Sequence, residues 1–199
     1  MKLSNKFTLI RIFYAPVFMM LYFIPIWTGK FAALSMYISI PLLIFAELTD
    51  YLDGKSARKN NEVSDFGKMF DPFADVFLHL STFVCYMHSF GQTGGYIPAF
   101  LFILLMWREF SQNFLRMVAA KQGVAIAARK GGKIKTVVYI ASGFFALFLE
   151  LLVRIDRVPS CFGTLKVVSL GLFILCVILS YLSFFDYLKQ FGKMLKDLM

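Results

Sequence analysis

The sequence predicts an all-α integral membrane protein with six transmembrane helices, and three observations support this fold class. Of its 199 residues, 59% are hydrophobic and only 17% are charged, against about 25% charged residues in soluble domains. The apolar residues fall into segments of about the length that crosses a bilayer. The net charge of +9 is concentrated in a few parts of the chain. This composition excludes a disordered chain and is too apolar for an ordinary nucleic-acid-binding domain, so we expect no nucleic acid partner.

The first four helices follow from interruptions in the apolar sequence. Lys30 separates the first apolar segment from the second, and Gly91–Gly95 divides the long uncharged stretch that begins at Val76. Arg11 interrupts the first segment and no small-residue cleavage site follows it, which favours a retained membrane helix over a signal peptide. Two later apolar runs complete the set. The expected helices are roughly 9–29, 31–57, 67–89, 96–120, 133–153 and 163–185, and residues 1–199 are expected to form one transmembrane domain.

The basic residues predict the orientation in the membrane. With six spans, both termini lie on the same side, and that side would hold all but four of the 21 basic residues; the four are Lys30, Arg154, Arg157 and Lys166. Cytoplasmic loops carry the excess of Lys and Arg. The sequence therefore predicts a multi-pass protein of the cell (inner) membrane with both termini in the cytoplasm.

Four carboxylates interrupt the apolar pattern where helices 2 and 3 meet. Asp50 and Asp53 come near the end of helix 2, and Asp71 and Asp75 lie one turn apart near the start of helix 3. The two helices are consecutive and joined by a short basic turn, so they should pack antiparallel and bring the four carboxylates together at the cytoplasmic end. Charge at membrane depth is costly and usually functional.

A cluster of four anions predicts a cation site. Carboxylates repel each other strongly at low dielectric, and oxygen ligands suit Mg²⁺, Mn²⁺ or Ca²⁺. Two such ions would neutralise the cluster and would suit phosphoryl transfer. Gly54, Ala57 and Gly67 leave room for a ligand, and Arg58 offers a phosphate-binding fork. The alternatives are helix-end charges paired with neighbouring Lys and Arg, or a divalent-cation transporter.

A second informative stretch covers the second half of helix 4 and the loop after it. From Arg116 to Lys135, counting both, there are six basic residues and no acidic one. Arg108 and Arg116 lie eight residues apart, near one helix face, and Lys133 and Lys135 follow beside glycines. These four cations are candidates for binding a phosphate on the substrate, although contact with anionic lipid would explain them as well. Glu109, a candidate partner of Arg108, and His79, one turn after Asp75, have no assigned role at this point.

The signature Asp50-x2-Asp53-Gly54-x2-Ala57-Arg58-x8-Gly67-x3-Asp71-x3-Asp75 resembles that of the CDP-alcohol phosphotransferases at every position. The resemblance implies a six-helix membrane enzyme, usually dimeric, that transfers a group from a CDP-linked donor to an alcohol and releases CMP. It implies that the four aspartates hold two divalent cations, Mg²⁺ or Mn²⁺, and that Asp75 is also the general base. It places the CDP moiety against Asp50, Gly54, Ala57, Arg58 and Gly67.

The resemblance extends to one branch of this family. The stretch from Arg108 to Thr136, the opening Asn5-x2-Thr8-x2-Arg11 and the last helix are similar to members whose acceptor is sn-glycerol 3-phosphate. This implies CDP-diacylglycerol as donor and an acceptor phosphate held by Arg108, Arg116, Lys133 and Lys135. Inositol phosphate or phosphatidylglycerol remain alternative acceptors.

Overall fold

The computed structural model is an all-helical bundle. It describes the backbone of residues 3–59, 65–123 and 130–196, and the side chains of residues 8–49, 70–123, 131–189 and 191. The described residues contain no β-strand, and the one isolated β-bridge joins Ser89 to Gln92. The helices are α1 (Leu3–Thr28), α2 (Ala32–Lys59), α3 (Asp65–Cys85), α4 (Ala99–Lys121), α5 (Lys130–Arg154) and α6 (Phe162–Lys196).

All six expected helices are present, and their ends differ from the prediction by at most three residues except at three places. Helix α1 begins at Leu3, six residues before the predicted start. Helix α3 ends at Cys85 rather than at residue 89, because the chain turns back on itself there and Tyr96 N–H donates to the Tyr86 carbonyl at 2.7 Å. Gly91 and Gly94 have φ angles of 63° and 77°, which glycine adopts without strain. Helix α6 runs on to Lys196, so the basic tail extends the last helix.

Four helices are long and apolar enough to cross a membrane by length and composition. The stretches within the described part of the chain are Thr8–Thr28, Ala32–Thr49, Gly131–Arg154 and Phe162–Lys189. Helices α3 and α4 are not among the spans found in the described residues. The charged residues of α3 lie between Asp65 and Asp75, and those of α4 lie between Arg108 and Lys121. The fold is thus that of an integral membrane protein.

The helices pack around a shared aromatic core. Helix α1 packs on α2 and α3, α6 packs on α4 and α5, and α3 also contacts α4 and α5. Phe83 of α3 lies at the centre, with its ring centroid 5.2 Å from that of Phe173 and 5.4 Å from that of Tyr139. Such ring pairs contribute about 0.5–1.5 kcal/mol each beyond the burial of their surface. Large apolar side chains also cover the outside, among them Phe13, Leu34, Phe114, Val137 and Leu182, as expected of a surface that faces lipid.

Successive helices run in opposite directions, so the bundle has two distinct ends. Thr8 near the start of α1 meets Asp71 near the start of α3, so α1 and α3 run in the same direction. Arg154 at the end of α5 bonds both Tyr22 near the end of α1 and Ser35 near the start of α2, so α2 runs opposite to α1 and to α5. We call the end that holds the starts of α1, α3 and α5 and the ends of α2, α4 and α6 the signature end. The other is the opposite end.

Candidate active site

A cavity of about 240 Å³ opens at the signature end between α3, α4, α5 and α6. Asp71 and Asp75 line it from α3. The four cations assigned to the acceptor phosphate also line it: Arg108, Arg116, Lys133 and Lys135. The structure therefore brings two of the predicted carboxylates and all four predicted cations to one cavity, although they come from three different helices.

Helix α1 contributes to the site through Asp71. The Thr8 hydroxyl donates a hydrogen bond to Asp71 Oδ1, and Arg11 Nη2 lies 4.0 Å from the same oxygen. The Arg11 side chain is 1% exposed. In the sequence, Thr8 is noted only as part of a resemblance, Arg11 is noted also as a charge that interrupts the first apolar segment, and neither has an expected role in the site. The signal that pointed to Arg11 was a charge inside an otherwise apolar segment, which usually marks a functional position.

Asp75 is held by the histidine one turn further along α3. His79 Nδ1 lies 2.8 Å from the Asp75 carbonyl oxygen and 3.2 Å from Asp75 Oδ1. On its other side, His79 Nε2 lies 3.6 Å from Glu47 Oε1. His79 thus bridges two carboxylates, from α2 and α3. Because the His79 ring is fixed by contacts on both sides, it restricts the side-chain conformations that Asp75 can adopt.

Glu109 organises the basic side of the cavity. Its Oε1 atom accepts hydrogen bonds from Arg108 Nη1 at 2.9 Å, from Lys135 Nζ at 2.8 Å and from the Tyr139 hydroxyl at 2.9 Å. Arg108 also donates through Nε to the Ser180 carbonyl at 2.8 Å. The structure therefore confirms Glu109 as the partner of Arg108 and adds Lys135. An unpaired buried charge is strongly unfavourable. Because Glu109 pairs with Arg108 and Lys135, both cations can stay buried in fixed positions even when no ligand is bound.

The remaining cations of the site are less constrained. Lys133 is exposed at the rim, and Arg116 Nε is buried without a hydrogen-bond partner among the described residues. Both polar side-chain atoms of Gln112, which also lines the cavity, likewise have no hydrogen-bond partner among the described residues. Nothing in the sequence pattern indicated this residue. Leaving a buried donor or acceptor unpaired costs about 1–3 kcal/mol. These atoms indicate where a polar ligand would be bound.

Asp50, Asp53, Gly54, Ala57, Arg58 and Gly67 lie outside the described side chains, although their backbone belongs to α2 and α3. Within the described part of the chain, no group of three His, Cys, Asp or Glu side chains is arranged to hold a metal ion. Asp71 and Asp75 supply carboxylate oxygens one turn apart, which is the ligand type that Mg²⁺ and Mn²⁺ prefer. Asp71 and Asp75, the two predicted metal ligands whose side chains are described, are therefore chemically suited to bind such an ion.

A second buried charge cluster lies at the opposite end. Arg154 donates through Nε to Glu150 Oε1 at 2.7 Å, through Nη1 to Ser35 Oγ at 2.7 Å and through Nη2 to the Tyr22 carbonyl at 2.9 Å. From the sequence alone, this residue is one of the four basic residues predicted to lie on the outer side. The guanidinium also lies 4.5 Å above the Tyr22 ring. Arg154 therefore joins α1, α2 and α5.

The carboxylate of this cluster is equally well bonded. Glu150 is fully buried and accepts hydrogen bonds from the Ser89 hydroxyl at 2.8 Å, the Tyr96 hydroxyl at 2.9 Å and the Phe90 N–H at 3.0 Å. Burial, followed by the nearby Glu150 charge, raises the pKa of the Tyr96 hydroxyl, so this group stays protonated and donates. The cluster fixes the segment between α3 and α4 against α5.

Comparison with known proteins places the chain in a family. Residues 1–182 match the model of the CDP-alcohol phosphatidyltransferase family, and the chain belongs to that family. A CDP-diacylglycerol–glycerol-3-phosphate 3-phosphatidyltransferase of Treponema pallidum (strain Nichols) is 34% identical over 203 residues, which cover 98% of this chain and 92% of that protein. One of the same name from Bacillus subtilis (strain 168) is 38% identical over 140 residues, covering 67% of this chain and 70% of that protein. A probable phosphatidylglycerophosphate synthase of Mycobacterium tuberculosis (strain ATCC 25618 / H37Rv) is 28% identical over 189 residues, which cover 94% of this chain and 80% of that protein.

Proposed function

We propose that this protein transfers the phosphatidyl group from CDP-diacylglycerol to sn-glycerol 3-phosphate and releases phosphatidylglycerophosphate and CMP. The observation that carries the proposal is the cavity itself, in which Asp71 and Asp75 share one space with Arg108, Arg116, Lys133 and Lys135. The names of the similar proteins, which specify glycerol 3-phosphate as acceptor, support the same reaction.

The basic wall of the cavity suits the phosphate of the acceptor. Arginine forms paired hydrogen bonds with phosphate oxygens, and Arg108 is already oriented by Glu109 and the Ser180 carbonyl. Lys135 is oriented by the same carboxylate. Arg116 and Lys133 add positive charge without a described acid partner. A ligand with two negative charges is therefore favoured over an uncharged or cationic alcohol.

The acidic wall suits the reacting hydroxyl. Asp75 accepts the proton of the C1 hydroxyl of glycerol 3-phosphate, and the C1 oxygen forms a bond to the phosphorus that carries the diacylglycerol. The bond from that phosphorus to the oxygen of the CMP leaving group breaks, and CMP departs. His79 and Glu47 hold the orientation of Asp75. Proton transfer to a positioned base contributes typically about 10²–10⁴-fold to such a reaction.

The donor site and its cations belong to the same proposal. Asp50, Asp53, Asp71 and Asp75 would hold two Mg²⁺ or Mn²⁺ ions, with Asp71 and Asp75 as the described members of the set. When bound, the two ions offset the negative charge of the diphosphate and of the transferred group. Asp50, Gly54, Ala57, Arg58 and Gly67 bind the CDP moiety, as the resemblance of the signature implies.

We also propose that the signature end faces the cytoplasm of the cell membrane and that the protein acts as a homodimer. The first point is supported by the distribution of the basic residues along the sequence, since all but four of the 21 fall in segments that the six-helix topology assigns to one side of the membrane. The second is supported by the resemblance to a family whose members are usually dimeric. Accessibility of single cysteines to an impermeant reagent in intact cells, and mass measurement in detergent by light scattering, test these two points.

The test of the function is an assay with the purified full-length protein in detergent. CDP-diacylglycerol and Mg²⁺ or Mn²⁺ are supplied with sn-glycerol 3-phosphate, inositol phosphate or phosphatidylglycerol, and the release of CMP and the lipid product are measured. We expect phosphatidylglycerophosphate from glycerol 3-phosphate only, and no product after chelation of the divalent cations. Product from inositol phosphate or phosphatidylglycerol instead would contradict the proposed acceptor.

A further inference from the structure

Gln112 is a buried residue of the cavity that has no role in the proposed reaction described above. It lies on α4, one turn after Arg108 and one turn before Arg116, and lines the same cavity. The residue is 2% exposed, and neither its Oε1 nor its Nε2 has a hydrogen-bond partner among the described residues. Buried amides are nearly always hydrogen-bonded in folded proteins. An unpaired one that faces a cavity indicates that a ligand supplies the partners.

The chemistry of the amide defines the partner. A carboxamide presents a donor and an acceptor side by side, whereas phosphate oxygens only accept and the Arg and Lys side chains of the cavity only donate. Neither the phosphate nor the cations could therefore satisfy both atoms of Gln112. A hydroxyl group both donates and accepts, so it matches the amide.

The acceptor of the proposed reaction has one polar group left to assign. Its C1 hydroxyl reacts beside Asp75, and its phosphate binds the basic wall, which leaves the C2 hydroxyl. Thr136 also lines the cavity, but its own hydroxyl donates to the Gly132 carbonyl at 3.2 Å. Gln112 has no such internal bond.

We propose that Gln112 binds the non-reacting C2 hydroxyl of the acceptor and makes the enzyme selective for a phosphorylated polyol over a phosphorylated simple alcohol. This inference rests on the proposed function. It assigns a specificity role to a neutral residue set between two arginines, in a site otherwise dominated by charge. A site built to bind a hydroxyl disfavours an analogue that lacks it, because its own buried polar group is then unpaired.

The test compares two acceptors that differ by one hydroxyl. Purified full-length protein is assayed with CDP-diacylglycerol, Mg²⁺ and either sn-glycerol 3-phosphate or 3-hydroxypropyl phosphate, which lacks only the C2 hydroxyl. The unmodified protein should favour glycerol 3-phosphate in kcat/KM by about tenfold to a hundredfold. In Gln112→Met, which keeps the length and removes the amide, this ratio should fall to about one. In the matched control Ser111→Ala, at an exposed position of the same helix, the ratio should stay at its original value.

Each result decides the inference. An unchanged ratio in Gln112→Met, with normal activity on glycerol 3-phosphate, overturns the role of Gln112 and leaves the proposed function intact. No CMP release from glycerol 3-phosphate by the unmodified protein overturns the function and this inference together. If Gln112→Met does not elute as a single species, the unmodified protein alone decides: equal use of the two acceptors refutes selectivity at C2, and a clear preference supports it.

Discussion

The two buried charge clusters lie at opposite ends of one bundle and differ in how their polar atoms are bonded. At the opposite end, all three guanidinium nitrogens of Arg154 donate hydrogen bonds and both carboxylate oxygens of Glu150 accept them. At the signature end, Gln112 and the Arg116 Nε have no hydrogen-bond partner among the described residues. The difference separates a cluster that joins helices from one that is prepared for a ligand.

The balance of charge differs in the same way. Glu150 and Arg154 form one acid–base pair, which needs no further ion. The cavity at the signature end is lined by Asp71, Asp75, Glu109 and four cations. Asp71 and Asp75 lie on α3, apart from the cations of α4 and α5, whereas Glu109 pairs with two of those cations. The separated carboxylates and cations of the cavity can bind cationic and anionic ligands, respectively. The Glu150–Arg154 pair, whose charges are already matched, contributes only to stability. This comparison predicts that changes at the two ends affect different measurements.

Asp75→Asn should have the largest effect, because it removes the proposed base while preserving shape. We expect a loss of kcat of at least about a thousandfold, near the upper part of the range for general-base catalysis. Activity is measured as CMP release. The thermal unfolding temperature in detergent should remain within a few degrees of the original. More than a tenth of the original turnover would remove Asp75 from the role of base.

Arg154→Met should have the largest effect on stability, because it leaves Glu150 buried without its cation. Breaking a buried pair in this way lowers the free energy of unfolding by about 3–5 kcal/mol. Thermal unfolding measures the loss. The double variant Glu150→Gln with Arg154→Met serves as the matched control and should recover part of it. The protein that remains folded should keep its KM for glycerol 3-phosphate, and a raised KM would mean that the two ends are coupled.

Arg108→Ala should mainly weaken acceptor binding. A hydrogen bond to a charged group contributes about 1.5–3 kcal/mol, so the KM for glycerol 3-phosphate should rise by roughly tenfold to a hundredfold while the KM for CDP-diacylglycerol changes little. Steady-state kinetics with each substrate varied in turn measures both constants. Arg108→Lys should restore part of the affinity. An unchanged acceptor KM would leave Arg108 a structural partner of Glu109.

Lys133→Ala should have the smallest effect, because Lys133 is exposed at the rim of the cavity. We expect a rise of a few-fold in the acceptor KM that diminishes as salt is added, since exposed charges are screened over about 10 Å at 0.1 M. Lys166→Ala is the matched control, because Lys166 also lines a surface pocket but lies at the opposite end. Equal effects of both variants on KM would contradict the distinction between the ends.

Much of the fold could be predicted from the order of residues. Six apolar segments gave six helices, because the length of a membrane span and the cost of charge within it are properties of local sequence. The turn at Gly91–Gly95 could also be predicted, because the signal for it lies in neighbouring residues. The lengthening of α6 to Lys196 was not predicted, since a basic tail with few breakers gives no sharp signal for the end of a helix.

The candidate site likewise has features that the sequence predicts and features that it does not. The spacing of Asp71 and Asp75 placed both on one face of α3, and the basic stretch identified Arg108, Arg116, Lys133 and Lys135. Hydrogen-bond partners from other helices could not be predicted in this way. The pairing of Asp71 with Thr8, of His79 with Glu47 and of Lys135 with Glu109 joins residues that are far apart in the chain.

The sequence by itself therefore determined the class of fold, the positions of the helices and the family signature, because each depends on residues within a few turns of one another. The tertiary structure decided which polar atoms are satisfied. Glu150 and Arg154 lie one turn apart on an apolar helix, and nothing in their spacing distinguishes a bonded pair from a binding site. Only the packing of α1, α2 and the segment after α3 around them supplies their partners, while the packing around Gln112 supplies none among the described residues.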